Sequence, residues 1–201
     1  MVGLDPIFLE QTTVALFPKN SGLAHQLMRV RDRYLVPEDA QSFSVRGEDV
    51  PLLANELAAL GRRVVGFTGD DLLDEWLADG NALDKRLNRR RFAWYDPAAI
   101  YGAPALCLIG ASPNVLTEQR PLRVVVCGRY RRTAERFLCA LREDGMTLET
   151  LPIQGSLETC VLSGMADLVV DVVVSGGTIK TAGLQVLRVI ATSDIAVLES
   201  R

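Results

Sequence analysis

Histidine is almost absent from this sequence, and its cysteines are few and scattered. The 201 residues contain one histidine, His25, and four cysteines without a CxxC pair. Structural zinc sites and histidine-based catalytic triads need more of these residues or closer spacing, so the composition argues against both. Each cysteine lies in or near an apolar stretch, which predicts buried, reduced thiols at Cys107, Cys127, Cys139 and Cys160.

Long apolar runs and a strong net charge are also missing. No apolar stretch approaches the roughly 18 residues of a membrane-spanning helix, and the N-terminus has no signal-peptide core. The net charge of −3 gives no general attraction for nucleic acid or for an anionic membrane. With 48% hydrophobic and 23% charged residues, the chain has the composition of a globular enzyme or binding protein. We therefore expect a cytoplasmic protein with neither nucleic acid nor membrane among its partners.

What the sequence does contain is an alternation of apolar strands with amphipathic helices. This alternation predicts an α/β fold with mainly parallel sheets, as one large domain or two smaller lobes. The predicted strands cover residues 13–17, 42–46, 64–67, 105–109, 123–127, 147–151 and 166–174, with a final strand pair over 185–198. The predicted helices cover residues 23–34, 48–60, 72–77, 132–143 and 157–162. The polar, arginine-rich segment 79–97 is predicted to be a loop or a poorly packed helix.

The segment LVVDVVVSGGTI, residues 168–179, carries the clearest chemical signal. It predicts a buried strand with one acid, Asp171, followed by the loop Ser175-Gly176-Gly177-Thr178. Two glycines allow a sharp turn and a close approach of the backbone to a ligand. Hydroxyl groups and the N–H groups of a following helix suit a phosphate monoester, and the acid suits the hydroxyls of a sugar. The pattern therefore predicts a phosphoribosyl pocket.

The local pattern leaves alternatives open. A Gly-Gly pair after an apolar strand is also typical of a plain strand-to-helix turn in which the hydroxyls cap the helix. The common phosphoribosyltransferases resemble the segment too, but they carry two adjacent acids before the loop. Here Val170 precedes the single acid Asp171.

A longer set of motifs distinguishes these alternatives, because its elements follow one another in the order found in a known family. Residues 154–184, QGSLETCVLSGMADLVVDVVVSGGTIKTAGL, contain Gly-Ser-x-Glu, Gly-x-Ala-Asp, an acid before a hydroxyl-Gly-x-Thr loop, and Gly-Leu. Weaker matches are VALFPKNSGL near the start, VRGEDVP at 45–51 and GFTGDDLL at 66–73. With these motifs the chain resembles the short form of ATP phosphoribosyltransferase over nearly its whole length.

The resemblance implies a fold of two α/β lobes with an interlobe cleft, like the type II periplasmic binding proteins. The lobes would comprise residues 1–104 with 185–201, and residues 105–184. The implied reaction joins N1 of ATP to C1 of phosphoribosyl pyrophosphate with Mg²⁺ and releases pyrophosphate, the first step of histidine biosynthesis. The implied partners are a second copy of the chain and a regulatory subunit that looks like a histidyl-tRNA synthetase.

The resemblance also implies roles for residues of the second lobe. Ser175, Gly176, Gly177 and Thr178 would hold the 5′-phosphate. Asp171 would accept hydrogen bonds from the ribose hydroxyls and favour cationic character on the sugar during catalysis. Glu158 would act in the same way or help to hold magnesium; its alternative is an exposed helix charge.

In the first lobe, Arg46 of the VRGED motif is the implied catalytic cation for the departing pyrophosphate, because a guanidinium pairs bidentately with phosphate oxygens. Lys19 is the second such cation, and Gly69 with Asp71 completes the nucleotide half. The alternatives are solvated turn charges and a helix-start acid. The basic run Lys85, Arg86, Arg89, Arg90 and Arg91 is either a phosphate lid or partner surface, or a solvated face. Trp76 and Trp94 are predicted to pack rather than to stack on adenine.

Some positions depart from the family pattern. The chain has Asn20-Ser21-Gly22 and Gly102-Ala103-Pro104 where the family commonly has an arginine, and the turn Gly128–Arg132 is more basic than usual. Arg129 or Arg131 is a candidate to compensate. Two further functions stay open: a divergent phosphoribosyltransferase acting on another nitrogenous base, and a non-catalytic two-lobed binding or regulatory protein.

Overall fold

The computed structural model describes residues 12–19, 36–155 and 157–200, and it divides into two compact units. The boundaries between the units fall between Tyr95 and Asp96 and between Ser193 and Asp194. The predicted helix 23–34, with His25, and the Asn20-Ser21-Gly22 departure lie outside the described residues.

The first unit is built on a five-stranded sheet in the order β2-β1-β3-β10-β4. β1, β2 and β3 pair in parallel, whereas β10 pairs antiparallel with β3 and with β4. Every residue of β3 is buried, as is typical of a central strand covered on both faces. The strands are β1 Val14–Pro18, β2 Gln41–Val45, β3 Val64–Gly69, β4 Leu87–Phe92 and β10 Ile195–Ser200.

Two helices pack against this sheet. α1, Val50–Ala59, has a proline in its first turn, where the missing N–H costs nothing, and it buries Val50, Ala54 and Ala58 on one face. α2, Asp70–Ala78, follows β3 directly and buries Leu73. The four-residue spacing within α1 turns that face towards the same core as β1, β3 and β10.

The second unit contains the other five-stranded sheet, in the order β7-β6-β8-β5-β9. β6, β7 and β8 are parallel, and β5 is antiparallel to β8 and to β9. The strands are β5 Ala105–Gly110, β6 Leu122–Cys127, β7 Leu148–Ile153, β8 Leu168–Val173 and β9 Gln185–Thr192. The helices are α3 Arg131–Glu143, α4 Leu157–Leu162 and α5 Gly177–Thr181.

The α/β fold agrees with the sequence, but the sheets are mixed rather than mainly parallel. Four of the eight strand pairings among the described residues are parallel and four are antiparallel. Residues 185–193 were expected in the first lobe, whereas β9 pairs with β5 in the second unit. β9 and β10 therefore belong to different sheets and do not form the expected strand pair.

The segment 79–97 is another difference, because it contains the edge strand β4 rather than a loop or helix. Within this strand, Arg89, Arg90 and Arg91 pair with acids outside the segment, and these partners cannot be read from the local sequence. Three cysteines are buried as expected, and Cys139 is exposed instead; all four are free thiols. No helix among the described residues is long and apolar enough to span a membrane.

Candidate functional site

In the first unit, the predicted nucleotide residues lie at the edge where β1, β2 and β3 end. Parallel strands present their carboxyl ends on one side of a sheet, so the residues that follow them come together. Lys19 follows β1, and its backbone N–H donates a 2.7 Å hydrogen bond to the carbonyl of Val45, the last residue of β2. Arg46 comes next in the chain, and both cationic side chains are exposed.

A buried hydroxyl fixes the turn that carries Arg46. Thr68, near the end of β3, donates a 2.7 Å hydrogen bond from Oγ1 to the carbonyl of Gly47. Gly47 packs closely here, since an added Cβ would lie 3.0 Å from Leu72 Cδ1 and would require that side chain to shift. Thr68 is fully buried and was not singled out from the sequence, because an alternating strand gives no sign that one hydroxyl reaches another segment.

Gly69 and Asp71 lie at the junction of β3 and α2. Gly69 precedes the helix in an extended conformation, and Asp71 is a half-buried acid of the first turn. The buried acid of that turn is its neighbour Asp70, whose side chain is only 4% exposed. Both acids suit the positive end of the helix dipole, as the helix-start interpretation requires.

The β4 arginines are engaged with acids of their own unit. Arg89 Nη2 lies 2.5 Å from Asp70 Oδ1 and 2.8 Å from Asp74 Oδ1. Arg91 Nε lies 3.2 Å from Asp70 Oδ2 and 2.8 Å from Asp194 Oδ2. These contacts favour a structural role for the two arginines over a phosphate-contacting lid.

Two other members of the basic run, Arg86 and Arg90, show the same tendency. Arg90 pairs with Glu199 at 3.3 Å, and Arg86 donates to the carbonyl oxygens of Ala58 and Ala59 at the end of α1. Trp76 packs on the core of the first unit and Trp94 is buried, which agrees with their predicted packing roles.

In the second unit, the predicted phosphoribosyl loop Ser175–Thr178 follows β8 and leads into α5. Gly176 adopts a left-handed conformation with φ +71°, which only glycine takes up at low cost. An added Cβ there would also lie 3.5 Å from Ile100 Cδ1. Ser175, Gly177 and Thr178 are exposed, so two hydroxyl groups and the backbone of this turn are open to a ligand.

The loop is tied to a neighbouring segment of the same unit. The Ile100 N–H donates a 3.0 Å hydrogen bond to the carbonyl of Val174, the residue just before the loop. Within the loop the Gly177 N–H approaches Ser175 Oγ at 3.5 Å. The first-turn N–H groups of α5 have no acceptor in their own helix.

Asp171 is half-buried in β8 and is the acid nearest this loop in sequence. Burial raises the pKa of its carboxyl group, because desolvation penalises the charged form. Several neighbours oppose this shift: the Val172 N–H, which donates a 2.8 Å hydrogen bond, the charge of Arg129, and the Cys127 thiol. The negative charge of Glu158 acts on the same carboxyl and raises its pKa further.

The structure therefore brings the predicted residues together within each unit. Asp171, Glu158 and the loop share the carboxyl-end edge of β6, β7 and β8. Lys19, Arg46, Gly69 and Asp71 share the corresponding edge of the other sheet. Ser156 of the Gly-Ser-x-Glu motif lies outside the described residues.

A divalent cation fits this edge of the second unit only if substrate phosphates supply some of its ligands. The described residues contain no cluster of three or more metal-ligating side chains, so they form no all-protein cage. Mg²⁺ is commonly held by one or two carboxylates together with substrate phosphates. Asp171 and Glu158 provide two carboxylates close enough to influence each other, and this donor set suits that mode.

The chain is similar to known proteins in sequence. Residues 46–201 match the family model "HisG: ATP phosphoribosyltransferase". An ATP phosphoribosyltransferase of Methylococcus capsulatus is 29% identical over 147 residues, 73% of this chain and 59% of the relative. One from Lactococcus lactis is 24% identical over 184 residues, 90% of this chain and 79% of the relative. A Pseudomonas fluorescens relative is likewise matched over only 63% of its length, so the chain spans about three fifths of the length of the Methylococcus and Pseudomonas relatives.

Solved structures extend the likeness to the fold. The ATP phosphoribosyl transferase (HisG:HisZ) complex of Thermotoga maritima aligns with a TM-score of 0.64 at 21% identity, covering 94% of this chain and 88% of that chain. The periplasmic aliphatic sulphonate binding protein SsuA of Escherichia coli aligns with a TM-score of 0.58 at 16% identity, covering 96% and 62%. These likenesses confirm the predicted fold of the periplasmic-binding-protein kind. Since the family model covers residues 46–201, more than three quarters of the sequence, the chain belongs to the ATP phosphoribosyltransferase family.

Proposed function

We propose that the protein is an ATP phosphoribosyltransferase that joins N1 of ATP to C1 of phosphoribosyl pyrophosphate in the first step of histidine biosynthesis. Family membership over residues 46–201 carries the proposal. The loop Ser175–Thr178, with Asp171 in the strand before it, supports it, since hydroxyl groups suited to a phosphate and an acid suited to a sugar lie on one sheet edge.

The second unit holds the sugar phosphate in this proposal. Ser175 and Thr178 donate hydroxyl hydrogen bonds to the 5′-phosphate, and Gly176 and Gly177 let the backbone N–H groups approach it. Asp171 accepts hydrogen bonds from the ribose hydroxyls. Its carboxylate also stabilises positive charge on the ribose, as does that of Glu158, when the bond to pyrophosphate breaks.

The reaction is a displacement at the anomeric carbon. The lone pair of adenine N1 forms the new bond to C1, and the electron pair of the C1–O bond leaves with pyrophosphate. Arg46 and Lys19 are cations suited to the negative charge that develops on the departing pyrophosphate. The Thr68–Gly47 hydrogen bond holds the turn after Arg46 in place. Gly69 and Asp71 take part in binding the nucleotide. Asp171 or Glu158, together with the phosphates of the substrate, would hold Mg²⁺, which would supply positive charge to those phosphates.

The proposal includes partners and location. A regulatory subunit that looks like a histidyl-tRNA synthetase is proposed because the chain resembles the short form of the family and aligns with a HisG:HisZ complex. A homodimer is proposed on the same resemblance. The cytoplasm is the proposed location, since ATP and phosphoribosyl pyrophosphate are the substrates.

The test is a reconstituted reaction. The purified chain is incubated with phosphoribosyl pyrophosphate, ATP and Mg²⁺, with and without the regulatory subunit, and the products are identified by mass spectrometry. We expect phosphoribosyl-ATP and pyrophosphate in equal amounts. Turnover with another nitrogenous base, and none with ATP, would show that this base is the acceptor in place of ATP. Binding of phosphoribosyl pyrophosphate without turnover under any condition would contradict the catalytic proposal and favour a binding or regulatory protein.

A further inference from the structure

The turn after β6 is close to the acid that the proposed function assigns to the sugar. β6 and β8 pair in parallel, with Val126 opposite Val170 at the end of the register. Cys127 and Asp171 come next on these two strands, and the Cys127 thiol and the Asp171 carboxyl group are close enough to influence each other's pKa. The short helical turn Gly128–Tyr130 then continues β6 at the same sheet edge as the phosphoribosyl loop.

Arg129 is the cation that this turn brings to Asp171. Its guanidinium acts on both the Asp171 carboxylate and the Cys127 thiol. It also lies over the ring of Tyr130, 5.6 Å from the ring centroid, and Tyr130 is buried. A guanidinium stacked on a buried ring loses less freedom on binding a ligand than one on a fully solvated arginine.

The charges at this edge call for such a cation. Asp171 and Glu158 place two carboxylates near a loop that would bind a phosphate, and both would repel a polyanionic substrate. In phosphoribosyl pyrophosphate the pyrophosphate on C1 is adjacent to the 2-hydroxyl of the ribose. A cation next to the acid that holds the ribose hydroxyls is therefore within reach of the pyrophosphate.

We infer that Arg129 contacts the pyrophosphate of phosphoribosyl pyrophosphate from the second unit, while Asp171 beside it binds the ribose. The inference rests on the proposed function and names a substrate-contacting residue of the same site. It assigns the contact with pyrophosphate to Arg129 and not to Arg131, which begins α3. A guanidinium is suited to this role because it presents a fork of donors to phosphate oxygens.

The test compares two ligands in calorimetric titrations with Mg²⁺. Ribose 5-phosphate has the sugar and the 5′-phosphate of phosphoribosyl pyrophosphate but lacks the pyrophosphate. For Arg129→Met we expect affinity for phosphoribosyl pyrophosphate to fall about 10- to 100-fold, as for a lost charged hydrogen bond. Affinity for ribose 5-phosphate should change by less than about 3-fold. Arg129→Lys should fall between wild type and Arg129→Met, because it keeps the charge without the fork.

Arg136→Met is the matched control, since it removes an exposed arginine from α3 of the same unit and should leave both affinities unchanged. Equal losses for both ligands in Arg129→Met would mean that Arg129 acts only by positioning Asp171, and would overturn the inference. Unchanged affinities, or a lysine variant no better than the methionine variant, would also overturn it. Failure of the wild-type protein to bind phosphoribosyl pyrophosphate would instead count against the proposed function. Thermal unfolding of each variant checks that it is folded.

Discussion

Replacing Asp171 by asparagine should weaken the binding of phosphoribosyl pyrophosphate. It should also remove the free-energy cost of burying a charged carboxylate in the folded protein. The substitution keeps the size of the side chain and the acceptor for the Val172 N–H, which now lies 2.8 Å from Oδ1. It removes the charge that the ribose hydroxyls would meet. Hydrogen bonds to a charged group are worth about 1.5–3 kcal/mol, so affinity for phosphoribosyl pyrophosphate should fall about 10- to 150-fold.

The effect on stability has the opposite sign and depends on pH. Burial raises the pKa of Asp171 in the folded protein above its unfolded value, with Arg129, Cys127 and Glu158 as the nearby groups. A raised carboxyl pKa contributes stability that is complete below the unfolded pKa of about 3.9 and is lost as pH rises through the folded pKa. The asparagine variant does not titrate, so its free energy of unfolding should gain on that of wild type as pH rises.

The assay is thermal unfolding of the unliganded proteins between about pH 4.5 and pH 8, beside calorimetry with phosphoribosyl pyrophosphate. Glu143→Gln is the matched control, because it neutralises an exposed acid of the same unit and should show little pH-dependent difference. If the asparagine variant instead loses stability relative to wild type as pH rises, burial does not raise the pKa of Asp171. Unchanged affinity would refute the assignment of Asp171 to the sugar.

Three further substitutions test other parts of the account. Thr178→Val should weaken phosphoribosyl pyrophosphate binding with little change in melting temperature, because its hydroxyl is exposed; unchanged affinity in calorimetry would contradict the phosphate site. Arg46→Ala should lower turnover more than ribose 5-phosphate affinity, because its charge partner develops as pyrophosphate leaves; steady-state kinetics showing the reverse would argue against that role. Asp70→Ala should cost about 1.5–3 kcal/mol, since it removes the buried acid that pairs with Arg89 and leaves that arginine with Asp74 alone; calorimetric unfolding with no loss would contradict the structural role.

The phosphoribosyl loop could be predicted from the sequence because local residues determine it. Gly176 takes a left-handed conformation that glycine alone favours, and Ser175 and Thr178 flank the turn at fixed offsets. The apolar run before them is a buried strand in either interpretation. The predicted strand 166–174 contains β8, Leu168–Val173, and the predicted turn contains the left-handed Gly176.

The mixed sheets could not be predicted in the same way. β9 and β10 are separated by only two residues, yet each pairs in a different sheet. Alternation along a strand reports which residues are buried and does not identify the partner strand. The expected lobe boundary at residue 185 failed for this reason.

The β4 strand and the surroundings of Asp171 show a related limit. Arg89 and Arg91 look like loop residues until Asp70 and Asp194 are brought beside them. Arg129 lies 42 positions before Asp171, a separation that only the β6–β8 pairing spans. Charge partners that meet through sheet pairing leave no local pattern in the sequence.

Hydrogen exchange with and without phosphoribosyl pyrophosphate tests whether Ser175–Thr178 binds the 5′-phosphate, because it reports on the loop itself. Mass spectrometry of peptides covering residues 171–181 gives the exchange of the loop and of the first turn of α5. The account predicts that ligand with Mg²⁺ slows exchange there, and that ribose 5-phosphate does so as well. Binding detected by calorimetry without any protection of this segment would contradict the assignment of Ser175–Thr178 to the 5′-phosphate.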